Sequence, residues 1–366
     1  MLKKILFFLF SMSGGGAERT VLNIINNLDR DKYEPVLVLG TDKNNDYIGL
    51  LNKNTRVKFL NCSRLRYCIL KLSRCIKQES PDLLFSTINA NNIILLLASM
   101  FSFRRIPIVI REANNRTQSG SVTFINKITT NILYNVFSDK IIALSKGVKK
   151  DLESNFLINE SKIKVIYNPV EVKKIQELSK EKVEEFYKAD DEKLVISVGR
   201  LVEQKDHSTL IKAFSILEKK IKSKLIILGR GFKENELKML CKKLGVERNV
   251  LFLGFKDNPY KFMRHADLFV LSSQWEGFGH VIVEAMAVGT PVISTDCNSG
   301  PREIIKNNQY GVLVPVADVE KMASKMTELL LNEELCKHYS EMGRKRSNDF
   351  DTASVTKQYE KVFNMF

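Results

Sequence analysis

Two carboxylates, Glu276 and Glu284, stand with seven residues between them in the stretch SSQWEGFGHVIVEAMAVGTPVIS at 272–294, which otherwise reads as protein interior. Burying an unpaired charge costs several kcal/mol, so these groups must be paired or put to use. ADLFVLSS reads as a strand, QWEGFG as its loop, and HVIVEAMAVG as a short helix that stops at Gly289. Glu276 then lies in the loop and Glu284 about one turn inside the helix, not stacked on one face. Gly277 and Gly279 leave the helix start bare, and the first N–H groups of a helix hold anions well. A phosphate there would have a carboxylate on each side, and a carboxylate beside a nucleotide accepts hydrogen bonds from ribose hydroxyls.

Other residues fit the same chemistry. SVGRLVEQKDHSTLIKAF places Arg200 and Lys205 just before a helix capped around Asp206, a pairing suited to a diphosphate or equally to a solvated surface. The next two strands end in LGRG and LGF, which sets Gly229, Gly231 and Gly254 along the edge of a nucleotide-sized slot. Near the N-terminus, Gly14, Gly15 and Gly16 lead into a helix that starts near Ala17, giving either an anion site or a flexible turn. Arg19 occupies the last glycine position of G-x-G-x-x-G, which argues against a dinucleotide.

The elements that must carry these loops are α/β units. KKILFFLF, EPVLVL, RVKFL, DLLFS, IPIVIR and DKIIAL are apolar strand-like runs separated mostly by helical periods, and the pattern restarts with KLVISVG, SKLIILG, NVLFLG, ADLFVLS, TPVIST and GVLVP. Asn168-Pro169 breaks the chain between the two series. The 366 residues therefore divide into two doubly wound Rossmann-like domains, 1–168 and 169–345, with a cleft between them and a helical tail over 346–366. With 44% hydrophobic and 27% charged residues the chain is a folded globular protein. Six cysteines, Cys62, Cys68, Cys75, Cys241, Cys297 and Cys336, lack metal or disulfide spacing, which points to a reducing cytoplasmic compartment. Ile5–Phe10 is too short for a signal peptide and reads as a first strand, and no run is long enough to span a bilayer. Charge is uneven: residues 1–170 carry 25 Lys+Arg and 13 Asp+Glu, net +12, against 32 and 29, net +3, in 171–366. A basic half implies an anionic partner, whether nucleic acid, phosphate-bearing lipid or nucleotide.

The segment Glu276-Gly-Phe-Gly-His-Val-Ile-Val-Glu284, with GGAER at 15–19, SVGRLVEQKD at 197–206 and STDCNSGPREII at 294–305, resembles the retaining family-4 glycosyltransferases of the GT-B fold over nearly the whole chain. The resemblance implies that a last helix crosses back to the N-terminal domain. It also implies a nucleoside diphosphate sugar, expected to be a UDP-sugar, as donor. Gly229, Gly254, Gly277, Phe278, Gly279 and His280 would line its site, Glu284 would bind its ribose, and Glu276 would contact the transferred sugar. Arg200 and Lys205 would neutralise the leaving diphosphate in place of a metal, and Gly15-Gly16 would close over it from the acceptor-binding domain. Where many relatives carry a histidine this chain has Ala113 in IREANNR, leaving Glu112 to grip or deprotonate the acceptor or to pair with Arg111 or Arg116. His280 would touch sugar or phosphate, or serve as a packed cap.

Within the family the chain is most similar to bacterial enzymes that extend polyprenyl-diphosphate-linked glycans for surface polysaccharide and lipopolysaccharide-type polymers. Such an acceptor is anionic and membrane-held. RLRYCILKLSRCIK sets Arg64, Arg66, Lys71, Arg74 and Lys77 around an apolar helical face, and NIILLLASMFSFRR ends in Arg104 and Arg105. These are core helices with solvated edges or a surface for anionic lipid on the inner face of the cytoplasmic membrane. The transferred sugar is expected to be an N-acetylhexosamine or a hexose, chosen around 276–280 and Asn298–Pro301. A nucleotide-sugar epimerase or a non-catalytic sugar-binding homologue would share the fold. A two-carboxylate glycosidase would not need the diphosphate cations, and nucleic-acid binding lacks a reader motif.

Overall fold

The computed structural model describes the chain apart from residues 1, 14, 103–104, 118–121, 186–188, 190 and 298. Gly14, Arg104 and Asn298, singled out in the sequence, lie outside the described residues. The chain divides into two compact units, Met1–Pro169 with Thr352–Phe366, and Val170–Asp351.

In the first unit the order is β1 (Lys3–Leu9), α1 (Gly16–Asn27), β2 (Tyr33–Leu39), β3 (Arg56–Phe59), α2 (Cys68–Glu79), β4 (Leu83–Thr87), α3 (Asn89–Met100), β5 (Ile108–Glu112), α4 (Phe124–Phe137), β6 (Lys140–Ala143), α5 (Lys146–Phe156) and β7 (Ile163–Val165). The sheet runs β3-β2-β1-β4-β5-β6-β7, every pair parallel. Central strands are covered on both faces, which is why they read as continuous apolar runs: Ile5 to Leu9 are all 0% exposed. Three-residue β7 escapes the sequence reading, because its short run merges into Tyr167-Asn168-Pro169.

The second unit comprises α6 (Val172–Leu178), β8 (Lys193–Val198), α7 (His207–Glu218), β9 (Ser223–Leu228), α8 (Glu234–Leu244), β10 (Val250–Gly254), α9 (Tyr260–His265), β11 (Leu268–Leu271), α10 (His280–Val288), β12 (Val292–Thr295), α11 (Pro301–Ile305), β13 (Val312–Val314), α12 (Val319–Leu331) and α13 (Glu333–Ser347). Its parallel sheet runs β10-β9-β8-β11-β12-β13. Its core gathers Leu210, Phe214, Leu225, Leu268, Val270 and Met326 among others. Where a side chain can cap a helix it does: Asp206 accepts from the Thr209 amide, Asp318 from Lys321 and Asn332 from Leu335.

The chain then returns. Helix α14 (Thr352–Phe363) belongs to the first unit, and its Val355, Tyr359, Val362 and Phe363 join that unit's core. Phe363 meets Phe85 at 5.9 Å and Tyr359 at 6.1 Å, while Lys3 Nζ donates to the Phe363 carbonyl at 2.8 Å. The return starts at Thr352 rather than at 346, because α13 continues to Ser347 and a short 3-10 turn over Asn348–Phe350 stays with the second unit. Both crossings of the chain lie side by side, since Val170 and Asp351 form a parallel bridge and the Val170 amide donates to the Phe350 carbonyl at 2.9 Å.

Candidate active site

In the second sheet the winding reverses between β8 and β11, the place beyond the strands' carboxyl ends where open parallel sheets bind ligands. Lys205 follows β8 and Glu276 follows β11, and their side chains are ion-paired there. The two loops are tied by further bonds. The Gln274 amide donates to the Gln204 carbonyl at 2.8 Å, Gln204 Nε2 to the Trp275 carbonyl at 2.9 Å, and Ser272 Oγ to the Lys205 carbonyl at 2.8 Å. Ser273 Oγ donates to Glu276 Oε1 at 2.7 Å, fixing the carboxylate from its own loop. The loop after β12 joins them: Ser299 Oγ donates to the Glu276 carbonyl at 2.6 Å, and Thr295 Oγ1 to the Ser273 carbonyl at 2.5 Å. Glu276 is therefore 7% exposed but paired, its Oε1 held by both Lys205 and Ser273, which answers the burial question raised by its sequence context.

Close backbone approach holds the glycine edge. A Cβ on Gly229 would overlap the Gly199 carbonyl oxygen, and one on Gly300 would overlap the Phe278 carbonyl. Gly254 ends β10, with its carbonyl accepting from the Gly229 amide at 2.8 Å. Helix α10 starts on Gly279 in the left-handed region, φ 92°, with no side-chain cap. The N-cap glycine supplies no side chain to the helix start, which carries the positive end of the helix dipole. Gly277 and His280 are half-buried, Phe278 is buried, and the Phe278 and His280 rings meet edge to face at 5.4 Å. Glu284 is half-buried in the second turn of α10. Arg200 is exposed at the end of β8, and no ion pair of its guanidinium is found among the described residues. Behind the loops, burial holds the His207 imidazole down at about 4, reinforced by Lys205, and pushes the Cys297 thiol up to about 12. Neither group is poised to exchange protons near neutrality.

In the first unit the winding reverses between β1 and β4. After β1, Gly15 is the N-cap of α1 and Gly16 its first residue, and the Glu18 carboxylate folds against Gly15. After β4, Ile88 takes φ 72°, a conformation costly for a β-branched residue. Glu112 closes β5 at 2% exposure, and burial raises its carboxyl to about 7. Tyr134 Oη donates to Glu112 Oε2 at 2.9 Å, and Asn89 and Asn92 donate to that hydroxyl at 3.0 and 3.2 Å. Arg111 instead reaches Thr87 and Asn168, while Arg116 bonds Thr130 and lies 4.4 Å from the Phe156 ring centroid, close enough to act on Glu112 by its charge. Tyr134 and the two asparagines carried no spacing signal, because they come from α3 and α4 and converge only in the fold.

The segment at 64–77 is not one helix: Leu65–Tyr67 is a 3-10 turn and α2 starts at Cys68. Cys68, Leu72, Cys75 and Ile76 are buried, so the apolar face of α2 is spent on the core. Arg64, Arg66, Lys71 and Arg74 are exposed, with Arg66 against Tyr67 and Lys71 donating to the Leu60 carbonyl at 2.9 Å. Arg105 is exposed before β5. Among the described residues no group of three or more His, Cys, Asp or Glu is arranged to hold a metal ion, and no helix is long and apolar enough to cross a membrane. The cysteines are free thiols, buried except for half-buried Cys336.

Two doubly wound parallel units, the second sending its last helix back to the first, are the plan of a GT-B glycosyltransferase. The sequence agrees: residues 14–174 match the family model described as Glycosyltransferase Family 4 and residues 179–346 the model described as glycosyl transferases group 1. The chain belongs to this glycosyltransferase family. It is 32% identical, over 97% of its length and 98% of the relative's, to the N-acetylgalactosamine-N,N'-diacetylbacillosaminyl-diphospho-undecaprenol 4-alpha-N-acetylgalactosaminyltransferase of Campylobacter jejuni. It is 27% identical, over 97% of both chains, to the lipopolysaccharide core biosynthesis glycosyltransferase LpsE of Rhizobium meliloti. Among solved structures, HepE of Anabaena in complex with UDP superposes with a TM-score of 0.84 at 22% identity, covering 99% of this chain and 100% of that one.

Proposed function

We propose that this glycosyltransferase moves a sugar, an N-acetylhexosamine or a hexose, from a UDP-sugar to a polyprenyl-diphosphate-linked saccharide, with retention of anomeric configuration and without a metal. The observation that carries this reading is the Lys205–Glu276 pair at the β8/β11 crossing point, next to the uncapped start of α10. The lipid-linked substrate named for the Campylobacter relative and the UDP bound to HepE support the choice of acceptor and donor.

Each residue then has a task. Arg200, Lys205 and the first amides of α10 take the diphosphate, where negative charge grows as the bond from the anomeric carbon to the phosphate oxygen breaks. A lysine ammonium has three donors, so Lys205 can hold Glu276 and a phosphate oxygen together. Glu276 faces the sugar and stabilises its developing positive charge, and Glu284 accepts from the ribose hydroxyls. The acceptor oxygen attacks the face the leaving group departs from, and its proton passes to the departing diphosphate oxygen. Gly229, Gly254, Gly277, Phe278, Gly279 and His280 line the donor in the second unit, Gly15 and Gly16 close over its diphosphate from the first unit, and Glu112 of the first unit grips the acceptor. The enzyme works in the cytoplasm at the inner face of the membrane.

The test is to screen UDP-sugars by thermal shift and hydrolysis, then add polyprenyl-diphosphate-linked saccharides with EDTA present. Sugar transfer that survives EDTA and drops in Glu276→Gln is expected. Interconversion of a UDP-sugar with no acceptor would replace this reading by an epimerase, UDP-sugar binding without turnover on any acceptor would replace it by a binding protein, and loss of transfer in EDTA would overturn the metal-free mechanism.

A further inference from the structure

Helix α4 is apolar on two sides. Leu133 and Tyr134 face inward and are buried, yet Phe124, Ile125, Ile128, Ile132 and Val136 are 77%, 73%, 45%, 50% and 64% exposed. At about 100° per residue these five fall within roughly 120° of arc, one continuous stripe along the helix. Exposed apolar groups scattered singly need no explanation, but a contiguous stripe marks an interaction surface. Met100 and Phe101 at the end of α3 add to it, at 45% and 48% exposure. At the C-terminal end of α4 an open groove of about 520 Å³ is lined by Met100, Arg105, Val136, Phe137 and Asp139 among others.

The charges around the stripe select what covers it. Within α4 the only ionisable side chain besides buried Tyr134 is Lys127, a cation, and there is no Asp or Glu. Arg105 borders the groove, and the Asp139 carboxylate beside it is engaged by the Ile108 amide at 2.8 Å. Lys162 Nζ donates to the Asn135 and Ser138 carbonyls at 2.5 and 2.7 Å, which sets another cation at the helix end. An apolar stripe rimmed by cations, in a half of the chain carrying a net +12, matches an anionic bilayer: apolar side chains enter the acyl boundary while Lys and Arg meet the headgroups.

We propose that the outward face of α4, extended by Met100 and Phe101, is the surface by which the protein docks on an anionic lipid bilayer. This rests on the reading that the acceptor is lipid-linked. It also relocates the apolar contact from α2, whose apolar face is buried, to α4.

The full chain is sedimented with vesicles of phosphatidylcholine containing about one-third phosphatidylglycerol, and with phosphatidylcholine alone. Wild type is expected to bind the anionic vesicles and to show slowed hydrogen exchange over 124–136 when bound. Ile125→Ser/Ile128→Ser should weaken binding at least about tenfold, whereas Leu70→Ser, at a 60% exposed position of α2, should leave it unchanged. Wild-type binding by the α4 variant, no vesicle binding by wild type, or a dimer that this variant merely converts to monomer would each overturn the proposal; the last would make a second copy the occupant. The exchange measurement uses the unaltered chain, so the answer does not depend on the variant folding. Transfer to a water-soluble saccharide acceptor separates the two readings. Vesicle binding through α4 with no transfer to any acceptor sinks the enzymatic reading alone, and transfer to lipid-linked acceptor in detergent without vesicle binding sinks the docking surface alone.

Discussion

Lys205 and Glu276 are ion-paired across the crossing point of the second sheet, with side chains only 14% and 8% exposed. A pair this buried is a poor source of net stability, because desolvation offsets most of the attraction, but breaking it strands a charge. Lys205→Ala should therefore destabilise the second unit by about 3 to 5 kcal/mol, while Glu276→Gln, which keeps an oxygen for Ser273 and Lys205, should cost less. In transfer assays Glu276→Gln should lower kcat by about 10² to 10³ with little change in donor KM, and Lys205→Ala should affect both. Urea melts and steady-state kinetics check this; an Ala variant as stable as wild type would contradict the burial argument.

Phe350 links the chain crossing to the loop that carries Glu276 and Phe278. Its carbonyl accepts from Val170, its ring lies 5.4 Å from Phe278, and the Arg346 guanidinium covers it at 4.6 Å. Phe350→Ala should cost about 3 to 5 kcal/mol, as for other buried aromatics, and Phe350→Leu much less. Because Phe278 sits between Glu276 and α10, the Ala variant should also raise the KM for donor several-fold. An unchanged KM in a clearly destabilised variant would show that the contact is structural only.

Glu112 makes the first unit sensitive to pH. Burial raises its carboxyl from the ordinary 4.5 to about 7, so the folded chain holds this proton more tightly than the unfolded one. The stability it lends is complete below about 4.5 and is lost as pH rises through about 7. Glu112→Gln removes that loss, so above pH 7 the variant's first unit should exceed wild type by up to roughly 3 kcal/mol, with little difference near pH 4. Thermal melts across this range decide it, and parallel curves for the two proteins would refute the assignment.

Phe363, fully buried from the last helix, touches Phe7, Tyr33, Phe85 and Tyr359. Phe363→Ala should destabilise the first unit by about 3 to 5 kcal/mol although the residue lies at the far end of the sequence. Limited proteolysis should then cut the first unit sooner, and a shift confined to the second unit would show that the return of α14 is not needed for its stability.

Much of this was legible without coordinates, for physical reasons that differ by element. Parallel strands covered on both faces must be continuous apolar runs, so β1, β4, β8 and β11 announce themselves, and the E-x7-E spacing fixes one carboxylate in a loop and the other in a helix. Edge strand β7 stayed hidden because three residues of mixed burial make no pattern. The extent of the last helix was also missed, since periodicity carries no information about which unit a helix packs on.

The amino-acid sequence by itself determined the two doubly wound units, the bare glycine start of α10 and the cations and carboxylates that belong near it, because these follow from local propensity and spacing. Only the tertiary structure decided who meets whom: that Lys205 pairs with Glu276, that Ser273 and Ser299 hold that glutamate, that Tyr134 rather than an arginine donates to Glu112, and that α4 and not α2 leaves its apolar stripe open. Those pairings come from parallel strands that bring distant loops to one edge of a sheet, and nothing local in a chain encodes which loops those are.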